Sequence, residues 1–131
     1  MSGSVGADLV EVDRIRRAME NPRFLREFFT EGEREYFSKK KHPEQSVAGV
    51  WAAKEAFSKA LGTGFREFGL REVEVLRTPL GQPQIHLHGR AAKRYSGLQI
   101  TVSISHTAFQ AMAVVYLSCE EKDKGEKTCT R

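Results

Sequence analysis

The stretch WAAKEAFSKALG, residues 51–62, decides the fold because it is the clearest helical pattern in the chain. At about 100° per residue, one face collects apolar side chains within roughly a third of the circle. These side chains are Val50, Ala53, Phe57, Ala60 and Leu61. We therefore predict a long helix from Ser46 to Leu61, with one buried face and with Gly62 as its C-cap.

Charged residues stand among the small and aromatic residues of this helix. Glu55 and Lys59 lie four positions apart, so they form either a surface ion pair worth a few tenths of a kcal/mol or part of a site. Lys54 lies at the edge of the apolar face, where its stem can cover the surface while its ammonium group reaches water or a phosphate. The helix alone leaves both alternatives open.

Around this helix, the apolar patterns predict short strands and shorter helices in one domain of residues 1–118. Strands are predicted at 5–12, 71–78, 84–88, 98–105 and 109–118, and helices at 13–20, 22–29, 30–39 and 89–97. We expect the first strand to be buried on both faces, Asp13 to cap the first helix and Thr30 with Glu33 to form a capping box. The fold class is therefore α+β, with a small antiparallel sheet packed against one long helix.

The charge and composition narrow the class of partner. The chain has 131 residues and a net charge of +4, and the predicted disordered tail, 119–131, is neutral, so the excess positive charge lies in the domain. A basic domain attracts phosphate-bearing or acidic partners. No apolar run approaches the ~20 residues of a membrane span. With two cysteines, Cys119 and Cys129, and no CxxC pair, we predict reduced thiols in a cytoplasmic protein.

Asp8 is a carboxylate inside an apolar strand, which is costly unless the group is paired or metal-bound. It either reaches a backbone donor at a strand end or serves as an oxygen ligand. Mg²⁺ commonly takes only one or two protein carboxylates, and waters and substrate phosphates complete its shell. Asp8 and Glu55 would satisfy that need if the fold brought them together.

Ser105, His106 and Thr107 cluster at a predicted strand end. His106 is either a hydrogen-bonded turn residue or, with its neighbours, a donor to phosphate that carries charge near neutral pH. The sequence shows no nucleophile signature and no oriented acid beside the histidine, so we do not favour serine hydrolase chemistry.

Three stretches, GADLVEVDRI, WAAKEAFSKALGTG and VSISHT, together resemble the holo-[acyl-carrier-protein] synthases, which are small 4′-phosphopantetheinyl transferases. The similarity runs from about Val5 to Leu117. It implies the 4′-phosphopantetheinyl transferase fold and the transfer of phosphopantetheine from coenzyme A to a serine of apo acyl carrier protein, with adenosine 3′,5′-bisphosphate released. It also implies a homotrimer whose active sites lie between subunits.

The resemblance also implies roles for single residues. Asp8 and Glu55 would hold Mg²⁺ and, with Lys59, form the catalytic group. The coenzyme A site would include Lys54, Lys59, Gly62, Ser105, His106 and Thr107, with His106 supplied by the neighbouring subunit. The acidic helix of the carrier protein would meet the basic segment 13–26, which carries Arg14, Arg17, Arg23 and Arg26.

In one place the sequence departs from these relatives. They often carry a basic residue just before the aromatic that Trp51 matches, whereas this chain has Val50. The phosphate contact is then either missing or supplied elsewhere, with the loop KKKH, residues 39–42, as the candidate.

Two other functions use the same features. A Mg²⁺-dependent pyrophosphate hydrolase would need the same carboxylates but no protein acceptor. A nucleic-acid-binding domain would explain the basic charge, but few exposed aromatics accompany the arginines, so we expect no nucleic acid partner.

Overall fold

The computed structural model describes residues 3–62 and 68–119. Its helices are α1 (Val12–Ala18), α2 (Phe24–Phe28), α3 (Glu31–Ser38), α4 (Pro43–Leu61) and α5 (Gly89–Tyr95). Its strands are β1 (Ser4–Glu11), β2 (Val73–Arg77), β3 (Pro83–Leu87), β4 (Leu98–His106) and β5 (Gln110–Cys119). A short 3-10 turn, Leu70–Glu72, precedes β2. The α+β prediction is confirmed.

The long helix α4 forms the centre of the core. It begins at Pro43, earlier than the predicted Ser46, because proline suits the first turn of a helix, where no N–H is needed. It ends as predicted: Gly62 has φ 80°, and its N–H donates to the carbonyls of Ser58 and Lys59. The interior of α4 from Val47 onward is mostly buried against the sheet, which explains its many small residues.

The strands form two antiparallel sheets rather than one. The larger sheet has the order β1-β5-β4, and β2 and β3 form a separate hairpin. In the larger sheet, Asp8 pairs with Ala113, which pairs with Ile104, so these three residues share a face. Ile104 lies against Gly49 of α4. The Asp8 side chain therefore lies on the helix side of the sheet.

Gly6 lets β1 and α4 approach closely. A Cβ atom at this position would lie 2.1 Å from the carbonyl oxygen of Ala56 and 2.5 Å from the nitrogen of Ala60, which no side chain tolerates. Ser4 also donates a side-chain hydrogen bond to the carbonyl of Ala60. This contact holds the middle of β1 against the C-terminal half of α4, where two of the predicted site residues lie.

Two predictions about the first elements are wrong. The outer face of β1 is open, with Val5 64% and Leu9 62% exposed, because none of the five described helices covers that side of the sheet. Asp13 does not cap α1: the helix begins one residue earlier, at Val12, and Asp13 bonds Arg16 instead. By contrast, the capping box of Thr30 and Glu33 at the start of α3 is present as predicted.

The last strand, β5, ends one residue beyond the predicted end at residue 118. Strand β5 continues to Cys119, which is buried, and the remainder of the predicted tail lies outside the described residues, as do residues 63–67 of the glycine-rich loop. The prediction of reduced thiols concerns Cys119 and Cys129, and Cys129 lies outside the described residues.

Candidate functional site

The C-terminal half of α4 and the middle of β1 bring three predicted residues together. The ammonium group of Lys59 donates a hydrogen bond to Oδ1 of Asp8 at 2.9 Å. The Asp8 side chain is 15% exposed and the Lys59 side chain 55% exposed. The costly strand carboxylate is thus paired, and the pair opens to solvent on one side.

Glu55 is the third member of this group. Burial raises its pKa above the ordinary value, and the nearby carboxylate of Asp8 raises it further, while Lys59 and Arg14 lower it. A cation held between two such carboxylates would relieve their mutual repulsion. The fold therefore brings Asp8 and Lys59 into contact, with Glu55 close enough to feel both charges, a grouping that the sequence spacing alone left open.

The donor set fits a hard divalent ion. Among residues 3–62 and 68–119, no group of three or more His, Cys, Asp or Glu side chains comes together. A site with two carboxylates agrees with Mg²⁺, which fills the rest of its octahedral shell with water and phosphate oxygens. The ammonium group on Asp8 shows that a cation is accommodated at this carboxylate.

Lys54 does not belong to this group. Its side chain is fully buried, so the prediction of an ammonium group at the surface is wrong. The ammonium group donates to Oε1 of Glu33 and to the carbonyl oxygens of Phe28 and Leu70, at 2.8, 3.2 and 2.8 Å. All three of its protons are used inside the protein, which leaves none for a phosphate.

The cluster of Ser105, His106 and Thr107 is divided by the strand. Ser105 pairs with Met112 and lies on the outer face of the sheet, whereas His106 pairs with Ala111 and lies on the helix side. Thr107 organises the turn between β4 and β5, because its hydroxyl accepts from the N–H groups of Phe109 and Gln110. Neighbours in a strand point to opposite faces, so the three side chains cannot act on one ligand within one subunit.

His106 lines a basic cavity of about 410 Å³ beside the N-terminal half of α4. Its titratable lining side chains are Tyr36, Lys40, Lys41, His42, Arg77 and His106, and none of the carboxylates in residues 3–62 and 68–119 lines it. An adjoining cavity of about 500 Å³ is lined instead by several acidic side chains of α1 and α4 and their flanks, so it is far less suited to an anion. Of the two cavities, the basic one is thus better suited to bind a phosphate.

Arg77 is a cationic residue of this cavity that the sequence did not indicate. It stacks on the ring of Tyr36, as does Lys40, with its guanidinium carbon 5.5 Å from the ring centroid. Its Nε is buried, and among the described residues no acceptor reaches it. A position at the end of a strand, just before a turn, carries no signal of its own for such a role.

The acidic group and the basic cavity lie at different ends of α4. The cavity is lined by Gln45 and Gly49, whereas the carboxylate site uses Glu55 and Lys59. Ten helical residues span about 15 Å. The two regions therefore do not form one pocket within a single subunit.

The predicted docking arginines Arg14, Arg17, Arg23 and Arg26 are all exposed. Arg14 and Arg17 lie on α1, Arg26 lies on α2, and Arg23 immediately precedes α2. Arg14 is near enough to Glu55 to lower its pKa. Val50, in contrast, is buried, so its position offers no contact to a phosphate.

This combination of fold and site defines a phosphopantetheinyl transferase. Residues 4–112 match the family described as the 4′-phosphopantetheinyl transferase superfamily, and the chain belongs to that family. It is 47% identical over 116 residues to the holo-[acyl-carrier-protein] synthase of Clostridium botulinum (strain Alaska E43 / Type E3), a match that covers 86% of this chain and 94% of that protein. The corresponding protein of Caldanaerobacter subterraneus subsp. tengcongensis is 44% identical over 114 residues, covering 84% and 90% of the two chains.

Solved structures agree with this assignment. The holo-(acyl-carrier-protein) synthase of Bacillus anthracis in complex with CoA (3′,5′-ADP) has a TM-score of 0.78 at 32% identity, covering 89% of this chain and 96% of that chain. The Helicobacter pylori enzyme in complex with coenzyme A has a TM-score of 0.76 at 33% identity, covering 87% and 99%. The predicted fold is confirmed. None of the helices in residues 3–62 and 68–119 has the length and apolarity needed to cross a bilayer.

Proposed function

We propose that this protein transfers 4′-phosphopantetheine from coenzyme A to a serine of an apo acyl carrier protein and releases adenosine 3′,5′-bisphosphate. The observation that carries the proposal is the group of Asp8, Glu55 and Lys59 on a fold shared with relatives that are holo-[acyl-carrier-protein] synthases. Phosphoryl transfer needs positioning and charge neutralisation more than a protein nucleophile. The group provides both.

Asp8 and Glu55 would hold Mg²⁺, which supplies charge neutralisation at the pyrophosphate of coenzyme A when bound. Lys59 would donate to a phosphate oxygen, since its stem is exposed and its ammonium group lies beside the two carboxylates. Gly62 follows at the helix end, but its N–H is already used by the carbonyls of Ser58 and Lys59. We therefore assign it the closure of the helix, and its contact with coenzyme A stays a prediction.

The basic cavity would bind a further phosphate of coenzyme A. Lys40, Lys41 and His42 belong to the loop that we expected to replace the basic residue missing at Val50. Arg77 and His106 add two more nitrogen donors. A phosphate there would also provide an acceptor for the buried Nε of Arg77.

A homotrimer would bring together the carboxylate group with Lys59 and the basic cavity, each from a different subunit. The outer face of the β1–β5 pair carries Val5 beside Tyr116 and Leu9 beside Met112, all exposed by 42–64%. A continuous apolar stripe of this kind is usually buried by a symmetric copy. Such packing would place the basic cavity of one subunit next to the carboxylates of the neighbouring subunit. The distance between the two regions along α4 of one subunit would then no longer matter.

The carrier protein would bind at the basic surface of α1 and α2, formed by Arg14, Arg17, Arg23 and Arg26. These side chains are exposed, and an acidic helix would be steered to them by charge. The location in the cytoplasm remains a prediction.

Mass spectrometry of an apo acyl carrier protein, incubated with coenzyme A and Mg²⁺, tests the reaction. We expect the carrier to gain the mass of one phosphopantetheine, and we expect no gain with a chelator or with a carrier whose acceptor serine is replaced by alanine. Release of the nucleotide from coenzyme A without any carrier protein would favour the hydrolase instead.

A further inference from the structure

Lys59 already occupies the carboxylate that a metal ion needs. Its ammonium group donates to Oδ1 of Asp8 at 2.9 Å, although more than half of its side chain is exposed. The contact therefore fixes only the tip of a long and otherwise solvated side chain. Such a pair contributes little to stability and is easily opened.

The charges around this contact favour an exchange of cations. The charge of Asp8 raises the pKa of Glu55, and the charges of Lys59 and Arg14 oppose that effect. The ammonium group of Lys59 thus relieves the repulsion between the two carboxylates. A divalent ion at the same oxygens would relieve it better, but it would repel an ammonium group held within about 4 Å.

We propose that Lys59 is an exchangeable counter-ion of the metal site: it neutralises Asp8 in the metal-free protein and is displaced when a divalent ion binds. This inference rests on the proposed function, because it takes Asp8 and Glu55 as the metal-binding carboxylates. The displaced ammonium group is then free to meet a substrate phosphate. Binding of the ion and release of the lysine are thus linked, and each changes the other's equilibrium by the same factor.

The linkage has a functional consequence. Lys59 weakens the binding of a metal ion to the free protein, because the ion must first displace it. A substrate that brings phosphate oxygens offers the displaced lysine a new partner, so the ion binds more tightly with the substrate present. The site of the resting protein thereby fills at a higher concentration of the divalent ion than the site of the substrate complex does.

Binding of Mn²⁺ to the full-length protein, followed by the electron paramagnetic resonance signal of the free ion without coenzyme A, tests the proposal. We expect Lys59→Met to bind Mn²⁺ about fivefold or more tightly than wild type. The control Lys93→Met removes the same charge from the exposed face of α5 and should bind as wild type does. Equal or weaker binding by Lys59→Met would overturn the exchange, since the lysine and the ion would then occupy Asp8 together.

Brief acylation of the lysines, read by peptide mass spectrometry, gives a second readout. We expect Mg²⁺ to increase the labelling of Lys59 relative to Lys93 in the same sample. Unchanged relative labelling would overturn the exchange. The proposed metal site fails in a different way: Asp8→Ala and Glu55→Gln would then bind Mn²⁺ as tightly as wild type.

Discussion

The ammonium group of Lys54 lies 2.8 Å from the carboxylate of Glu33, and neither side chain is exposed to solvent. Burial lowers the pKa of Lys54 and raises that of Glu33, while each partner opposes the shift of the other. Glu33 also accepts from the N–H groups of Thr30 and Val75. The pair therefore joins α4 to α3 and β2 and anchors the helix that carries Glu55 and Lys59.

We expect Lys54→Met to destabilise the fold by about 3–5 kcal/mol, because it leaves the Glu33 carboxylate buried without its partner. Urea unfolding at a fixed protein concentration measures this loss. The double variant Lys54→Met with Glu33→Leu should recover part of it, since no uncompensated charge remains. A loss below about 1 kcal/mol for the single variant would show that the pair does not anchor the helix.

Removal of either site carboxylate should abolish transfer without unfolding the protein. We expect Asp8→Ala and Glu55→Ala to lower the rate of Mg²⁺-dependent transfer by about 100-fold or more. Glu35→Ala is the matched control, because the Glu35 side chain is exposed and pairs with the exposed Lys39 on α3. Circular dichroism checks that the variants are folded. If one variant transfers at the wild-type rate at low Mg²⁺, the replaced residue is not a ligand of the metal.

Glu55 should cost stability at neutral pH. Its pKa is raised in the folded state, chiefly by burial and then by Asp8, so the folded protein binds its proton more tightly than the unfolded chain does. The contribution of this group to the free energy of unfolding is therefore fully present below the pKa that Glu55 has in the unfolded chain. It is lost as the pH rises through the pKa that Glu55 has in the folded protein. We expect Glu55→Gln to be more stable than wild type at pH 7, with the difference vanishing in acid. Thermal unfolding of both proteins from acid to neutral pH measures this difference in stability. A difference that does not change with pH would contradict a raised pKa for Glu55.

Two arginines on α1 should separate docking from chemistry. Arg17 is exposed, and we expect Arg17→Glu to raise the KM for carrier protein about tenfold at low salt and to leave kcat unchanged. Arg14 lowers the pKa of Glu55 as well, so Arg14→Glu should change both KM and kcat. Lys93→Glu is the charge-matched control. An unchanged KM for both arginine variants would exclude docking at this surface.

The sequence predicted the main helix and the strands well because their signals are local. Helix periodicity, the C-cap at Gly62 and the capping box at Thr30 depend on residues within a few positions of each other, and all three predictions are confirmed. The division into two sheets depends on packing between distant segments. No local pattern contains that information.

The site was predicted in part for the same reason. Asp8 was singled out by the cost of a carboxylate in an apolar strand, and the fold places it beside Lys59. Lys54 was misassigned because its partner, Glu33, is distant in sequence and was recognised only as a helix cap. Arg77 was missed because only the folded hairpin brings it to Tyr36.

Mixing two inactive variants tests most directly the claim that a complete site needs two subunits. We expect His106→Ala and Glu55→Ala to be inactive alone and, when co-expressed in equal amounts, to recover about one quarter of wild-type transfer. That fraction follows because each interface takes one residue from each of two randomly chosen subunits. No recovery, or a monomer by light scattering that keeps full specific activity, would contradict the account.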